Sequence, residues 1–159
     1  MYKFFATLGL AAILGLGAAG GAWACKAPGN ERAMIETAMK LLNSERRKKG
    51  LGPVSYDSRL GRAATSHACD MARMEEMTHY GPRGGTPVDR LRTVGYSWSY
   101  LSENVARGHQ SAESVNNGWV TSPGHRKNML NRKAKQAAVG VRQASDGRLY
   151  WTMVLAAPR

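Results

Sequence analysis

The chain has 159 residues, 43% of them hydrophobic, with 23 Lys and Arg against 11 Asp and Glu and only two cysteines. That length leaves room for one ordinary core once a targeting segment is set aside, which excludes a multidomain arrangement. The formal net charge of +12 points to anionic polymers or surfaces as partners.

Residues 1–24 read as a secretory signal peptide. Lys3 precedes an uncharged run, residues 4–21, rich in Gly and Ala, and Ala22-Trp23-Ala24 has the small-x-small form of a cleavage site. An uncleaved membrane anchor is the rival reading, but no stop-transfer cluster of charges closely follows the run. Export, to the periplasm or the outside, makes lipid headgroups and cell-wall polymers better partners for the basic chain than nucleic acid. The basic residues are dispersed apart from Arg46-Arg47-Lys48-Lys49, so a merely solvated surface is the competing account. Residues 25–159 then form a single domain that begins at Cys25. Two fates for Cys25 stay open. One is a disulfide with Cys69, suited to an oxidising compartment; the other is a lipid anchor, disfavoured by the bulky Trp23 just upstream.

Residues 31–49 carry Met34, Ala38, Leu41 and Leu42 at helical spacing, with Glu31 at the start, cations at the end and Gly50 as a stop. Residues 51–56 are a loop or short extended stretch. Asp57 or Ser58 caps a second helix reaching about Thr78, whose stripe is Leu60, Ala64, His67, Met71 and Met74. A Gly/Pro loop at 81–87 leads into one or two helical turns over 88–93, then an irregular aromatic stretch at 96–100. Ser111 caps a third helix bearing Val115 and Trp119, which ends near Pro123-Gly124. Last come two strands, 139–143 and 149–155, flanking the turn dipeptide Asp146-Gly147. Helices first and strands last give an α+β fold in which helices cover a small, largely antiparallel sheet.

Of the four histidines, His67 lies on an apolar stripe and reads as a packed core residue, and His109 sits in a polar loop and reads as solvated. His79 falls where the second helix should stop, and His125 is held at a helix end by Pro123-Gly124. Glu103 is a carboxylate in an apolar and aromatic neighbourhood, so it needs a partner. Two imidazoles and a carboxylate suit a divalent metal or general acid–base work. A Ser122–His125 nucleophile pair is a poor reading because no nucleophile elbow surrounds the serine, and Cys69 is poor because oxidation removes its thiol.

Taken together, Leu42-Asn43-Ser44-Glu45-Arg46, His67-Ala68-Cys69-Asp70-Met71-Ala72, Thr78-His79, Asp89-Arg90-Leu91, Ser102-Glu103-Asn104-Val105-Ala106 and Ser122-Pro123-Gly124-His125-Arg126 with Asn128 resemble the CAP superfamily. That superfamily is named for cysteine-rich secretory proteins, antigen 5 and pathogenesis-related proteins, and its domain is also called SCP. The shorter Ser-Pro-Gly-His-Arg form is similar to bacterial members. The resemblance implies a three-layer α-β-α sandwich and a cleft of two histidines and two glutamates that sometimes holds a divalent cation. His79, Glu103 and His125 match that pattern, whereas Thr121 and Ser122 stand where the second glutamate would be. The implied cofactor is Zn2+ or another divalent cation held by His79, His125 and Glu103. The leading expectation is a binding protein for an extracellular ligand, whether lipid, cell-wall polymer or protein, rather than an enzyme. The alternatives are a hydrolase of peptide or cell-wall substrates, and a structural His/Glu network beneath a cationic binding surface.

Overall fold

The computed structural model describes residues 25–159; the expected signal peptide, residues 1–24, lies outside the described residues. In chain order the elements are α1 (Glu31–Arg47), β1 (Ser55–Tyr56), α2 (Ser58–Met74), a 3-10 turn (Pro82–Gly84), α3 (Pro87–Thr93), β2 (Trp98–Arg107), α4 (Ala112–Thr121), α5 (Pro123–Met129), β3 (Gln136–Gln143) and β4 (Leu149–Pro158). The sheet has the order β1-β3-β4-β2; β1 runs parallel to β3 and the other two pairings are antiparallel. The largely antiparallel sheet and α+β class expected from the sequence are therefore present.

Strand β4 is buried on both faces and divides the core by its two-residue period. Trp151, Met153 and Leu155 pack with Met34, Ala38 and Leu42 of α1 and Val115 and Trp119 of α4. Val154 and Ala156 face Leu60, Ala63 and Ala64 of α2 and Leu91 of α3, while Tyr150 packs on Met71 and Ala72. Helices α1, α4 and α5 thus form one outer layer, and α2 with α3 forms the other. Gly140 of β3 lets α2 approach closely, because a Cβ there would lie 2.4 Å from the Thr65 backbone nitrogen. Cys25 and Cys69 are joined by a disulfide, so the bridged reading of Cys25 is the one realised.

Three expectations need correction. Helix α2 ends at Met74 rather than near Thr78, because Glu75 turns into the left-handed region at φ 52° and returns its N–H to the Met71 carbonyl. His79 therefore stands in the loop beyond the helix. The irregular aromatic stretch is the start of β2, whose alternation is blurred by the edge position and by a register shift between Trp98 and Tyr100. Pro123-Gly124 does not merely end a helix: Ser122 is an extended pivot, and Pro123 occupies the first position of α5, where its missing N–H costs nothing. His125 accordingly lies in the first turn of α5.

Arg46 belongs to the core and not to the solvated basic run. It is 2% exposed, and its guanidinium donates to the carbonyls of Gly52, Met129, Asn131 and Ala134 at 2.8 to 3.4 Å. Asn43, one turn earlier, bonds both the N–H and the carbonyl of Val54. The Asn-x-x-Arg spacing thereby pins two irregular connections against the end of α1.

Candidate functional site

Glu103 lies on β2, the edge strand, on the face toward α2. It is 7% exposed, and both carboxylate oxygens are engaged. Oε1 accepts from His79 Nδ1 at 2.9 Å, and Oε2 accepts from Arg90 Nη2 at 2.8 Å. A carboxylate can only accept here, so His79 carries a proton on Nδ1 and turns Nε2 away from the acid. The His79 side chain is 49% exposed, so the buried acid orients an imidazole that remains open to solvent.

Arg90 was not among the residues singled out for the site. Its placement follows from local rules: Thr86 and Asp89 form a reciprocal capping box, Pro87 sits in the first turn, and the short α3 directs Arg90 back toward β2. Besides Glu103 it bonds the carbonyls of His79 and Gly85, tying the 75–86 loop to the strand. The signal available in the sequence was the isolated carboxylate of Glu103, which demanded a cation as well as a hydrogen-bond donor.

His67 also belongs to this neighbourhood. It is fully buried, and its Nε2 donates to the Thr78 carbonyl at 2.8 Å, which leaves Nδ1 as a buried acceptor without a partner. Burial holds its pKa below the ordinary imidazole value, against the opposing pull of Glu103, 3.8 Å away. The core assignment of His67 stands, with the added role of holding the loop that presents His79.

His125 approaches from the other side of β2. Asn104 Nδ2 donates to its carbonyl at 3.0 Å, and Asn128, one turn on, donates to the Glu103 carbonyl at 3.3 Å and to Asn104 Oδ1 at 2.9 Å. Trp119 Nε1 donates to the Val105 carbonyl at 3.2 Å. These bonds answer outward-facing acceptors of an edge strand and fix α4 and α5 against it. Burial depresses the His125 pKa, and His79 adds to the depression, so the ring is neutral at neutral pH. His125 makes no hydrogen bond with Glu103 or with Ser122 among the described residues, which gives the Ser122 nucleophile reading no support. His109 is engaged locally, 2.8 Å from Ser114 Oγ.

No group of three or more His, Cys, Asp or Glu side chains is placed to hold a metal among the described residues, and Glu103 has both oxygens committed to cationic or N–H partners. The three residues in this arrangement do not fit a three-ligand metal site. Cavities of about 500 to 640 Å3 lie elsewhere, and none of those is lined by His79, Glu103 or His125. At the edge of the sheet the His79 ring is half exposed and His125 half-buried, above a buried Glu103.

The three-layer sandwich, with His79, Glu103 and His125 carried on and around its edge strand, is the architecture expected of an SCP-type domain. The chain belongs to the cysteine-rich secretory protein family, CAP, whose model matches residues 39–155. It is 35% identical over 126 residues to the uncharacterized protein YkwD of Bacillus subtilis, covering 79% of this chain and 48% of that protein. It is 30% identical over 103 residues to the uncharacterized membrane protein YlbC of the same organism, covering 65% of this chain and 30% of YlbC. The chain thus spans half or less of the length of these relatives. Among solved structures it resembles an extracellular protein containing an SCP domain from Bacillus anthracis, with TM-score 0.72 and 28% identity over 79% of this chain and 41% of that one. An outer surface protein of Borrelia burgdorferi shares the fold, with TM-score 0.77 at 19% identity over 85% and 99% of the two chains. No helix among the described residues is long and apolar enough to cross a membrane.

Proposed function

We propose that the chain is an exported binding protein of the cell envelope or extracellular space that engages its ligand at the open face around His79, Glu103 and His125. The observation that carries this reading is the half-exposed His79 ring, oriented by a carboxylate that is itself buried and paired. In this reading Glu103 and Arg90 position, and the two imidazoles recognise. His79 offers its Nε2, and a neutral His125 adds a second hydrogen-bonding ring. The descriptions of the Bacillus anthracis and Borrelia relatives as extracellular and outer-surface proteins support the location. The open setting favours recognition over turnover, because acid–base and electrostatic catalysis draw much of their strength from a water-excluding site.

The test is a titration of residues 25–159 with soluble peptidoglycan fragments, following the imidazole resonances. The reading expects the His79 and His125 signals to move together, and His79→Ala to abolish binding while the fold is retained. Equal affinity in the His79→Ala variant overturns it. Turnover of the same fragments that disappears in Glu103→Gln would transfer the site to an acid–base hydrolase.

A further inference from the structure

Two basic segments distant in sequence meet at one end of the molecule. The first is Arg47, Lys48 and Lys49, at and just beyond the end of α1; the second is Arg132, Lys133 and Lys135, in the connection from α5 to β3. Arg46 joins them. Its guanidinium bonds the carbonyls of Met129, Asn131 and Ala134, which holds the second segment directly against the root of the first.

All six cations are exposed. Lys48 pairs with Glu45 at 2.6 Å, whereas Arg47, Lys49, Arg132, Lys133 and Lys135 have no carboxylate within 4.0 Å among the described residues. No Asp or Glu occurs between Glu45 and Asp57, or between Glu113 and Asp146, so neither segment carries its own counter-ion beyond Glu45. Elsewhere many cations are answered locally: Arg32 by Glu36, Arg59 by Asp57, Arg92 by Asp89, Arg142 by Glu31 and Arg148 by Asp146. Beneath the patch, Arg46 adds a buried positive charge whose hydrogen-bond partners are all carbonyl oxygens. Five exposed cations without a carboxylate partner among the described residues, Arg47, Lys49, Arg132, Lys133 and Lys135, are thereby gathered at one end of the molecule, whereas other unpaired cations, Lys26, Arg62, Arg73 and Arg107 among them, are not tied to it by Arg46.

We infer that this face docks the protein onto a membrane surface bearing anionic headgroups. The cations sit on long, exposed side chains spread over two segments; Lys133 and Lys135 also line an open cavity of about 640 Å3 with Ser99 and Tyr100, but Arg47, Lys48, Lys49 and Arg132 lie outside it, so the display is broader than that cavity. Such an arrangement suits the spread negative charge of a lipid surface, where each Lys or Arg near the plane adds a comparable increment of affinity. Exposed Pro53 and half-buried Leu51 stand beside the cations, held by Leu51 N–H to the Arg46 carbonyl and by Arg46 Nε to the Gly52 carbonyl. The patch is separate from the His79 face and does not depend on the ligand proposed there.

Co-sedimentation of residues 25–159, which comprise every described element of the fold, with vesicles tests the inference. Binding is expected to vesicles of phosphatidylcholine mixed with phosphatidylglycerol, not to phosphatidylcholine alone, and it should weaken steeply with salt. The variant Arg47→Glu, Lys49→Glu, Arg132→Glu, Lys133→Glu should bind at least about tenfold more weakly. A control reversing the same number of charges elsewhere, at Lys26, Arg62, Arg73 and Arg107, should stay within about twofold of the parent. Equal loss in the control means that net charge alone drives adsorption, and the inference fails. It fails as well if the parent ignores anionic vesicles yet a soluble glycerol-phosphate polymer captures it through the same four residues. His79→Ala should leave vesicle binding unchanged, which separates this result from failure of the ligand face.

Discussion

Arg46 and Glu103 are both charged side chains buried by this fold, and both lie in segments that resemble the family, yet their surroundings differ. Arg46 is answered entirely by carbonyl oxygens, of the last residue of α5 and of irregular segments, and nothing in its network reaches solvent as a reactive group. Glu103 is answered by a guanidinium and an imidazole, and the imidazole is half exposed. Burial of a charge therefore marks a network rather than a function. What separates a fastening from a candidate site is whether one member of the network is held at the surface with an unused ring nitrogen.

The sharpest way to break this contrast is at Arg46. Replacing it with Met keeps much of the packed stem but orphans four carbonyls around two connections at once, and should cost about 3 to 4 kcal/mol in urea unfolding. The ligand and its contacts at His79 should be unaffected in whatever fraction remains folded. A loss below about 1 kcal/mol would show that water replaces the guanidinium, and that the Asn-x-x-Arg spacing is not a fastening.

Next in size is the ion pair at the candidate site. Arg90→Met alone leaves a buried carboxylate whose one remaining side-chain hydrogen bond is to His79, and should cost about 3 kcal/mol. Combined with Glu103→Leu, the same change should cost clearly less than the two singles summed, with a coupling of about 2 kcal/mol in a double-mutant cycle. Additive losses would mean that Arg90 acts through the loop carbonyls of His79 and Gly85, not through Glu103.

These contrasts also explain what the sequence revealed and what it withheld. The helical stripe of α1, most of α2, the terminal hairpin and the two-cysteine bridge were legible because each follows from local periodicity, turn chemistry or redox compartment. Strand β2 was not, since an edge strand with Ser99, Ser102 and Glu103 among its residues lacks clean alternation. His79 and Glu103 could be paired from the demand of an isolated carboxylate. Arg90 could not, because its approach depends on the angle at which the capped α3 returns to the sheet, which is a tertiary fact. The burial of Arg46 was hidden for the same reason: four consecutive cations look alike until the α5–β3 connection is folded over the first of them.

A smaller effect concerns pH. Burial lowers the His67 pKa, so as pH falls through about 6.5 the unfolded chain takes up a proton that the folded chain refuses. Stability is therefore full above that value and declines below it until the folded-state pKa is reached, with a slope of at most about 1.4 kcal/mol per pH unit for this one group. His67→Gln, which keeps a donor for the Thr78 carbonyl, should flatten the decline measured between about pH 6.5 and 5. His125, shifted in the same direction, accounts for the slope that remains. An unchanged profile in His67→Gln would assign the whole dependence to His125.

The smallest stability effect belongs to the residue expected to matter most for binding. His79 is half exposed and contributes one hydrogen bond to a carboxylate that Arg90 continues to hold, so His79→Ala should shift stability by no more than about 0.5 kcal/mol. Binding of peptidoglycan fragments should nevertheless fall well beyond that change. His79→Gln, which can still donate to Glu103 but offers no equivalent of Nε2, should bind as poorly as the Ala variant while melting like the parent. If His79→Gln instead restores binding, the loop position held by the hydrogen bond matters and the imidazole does not. If His79→Ala proves as destabilising as Arg46→Met, the two networks are alike, and the Glu103 cluster is a second fastening of the fold.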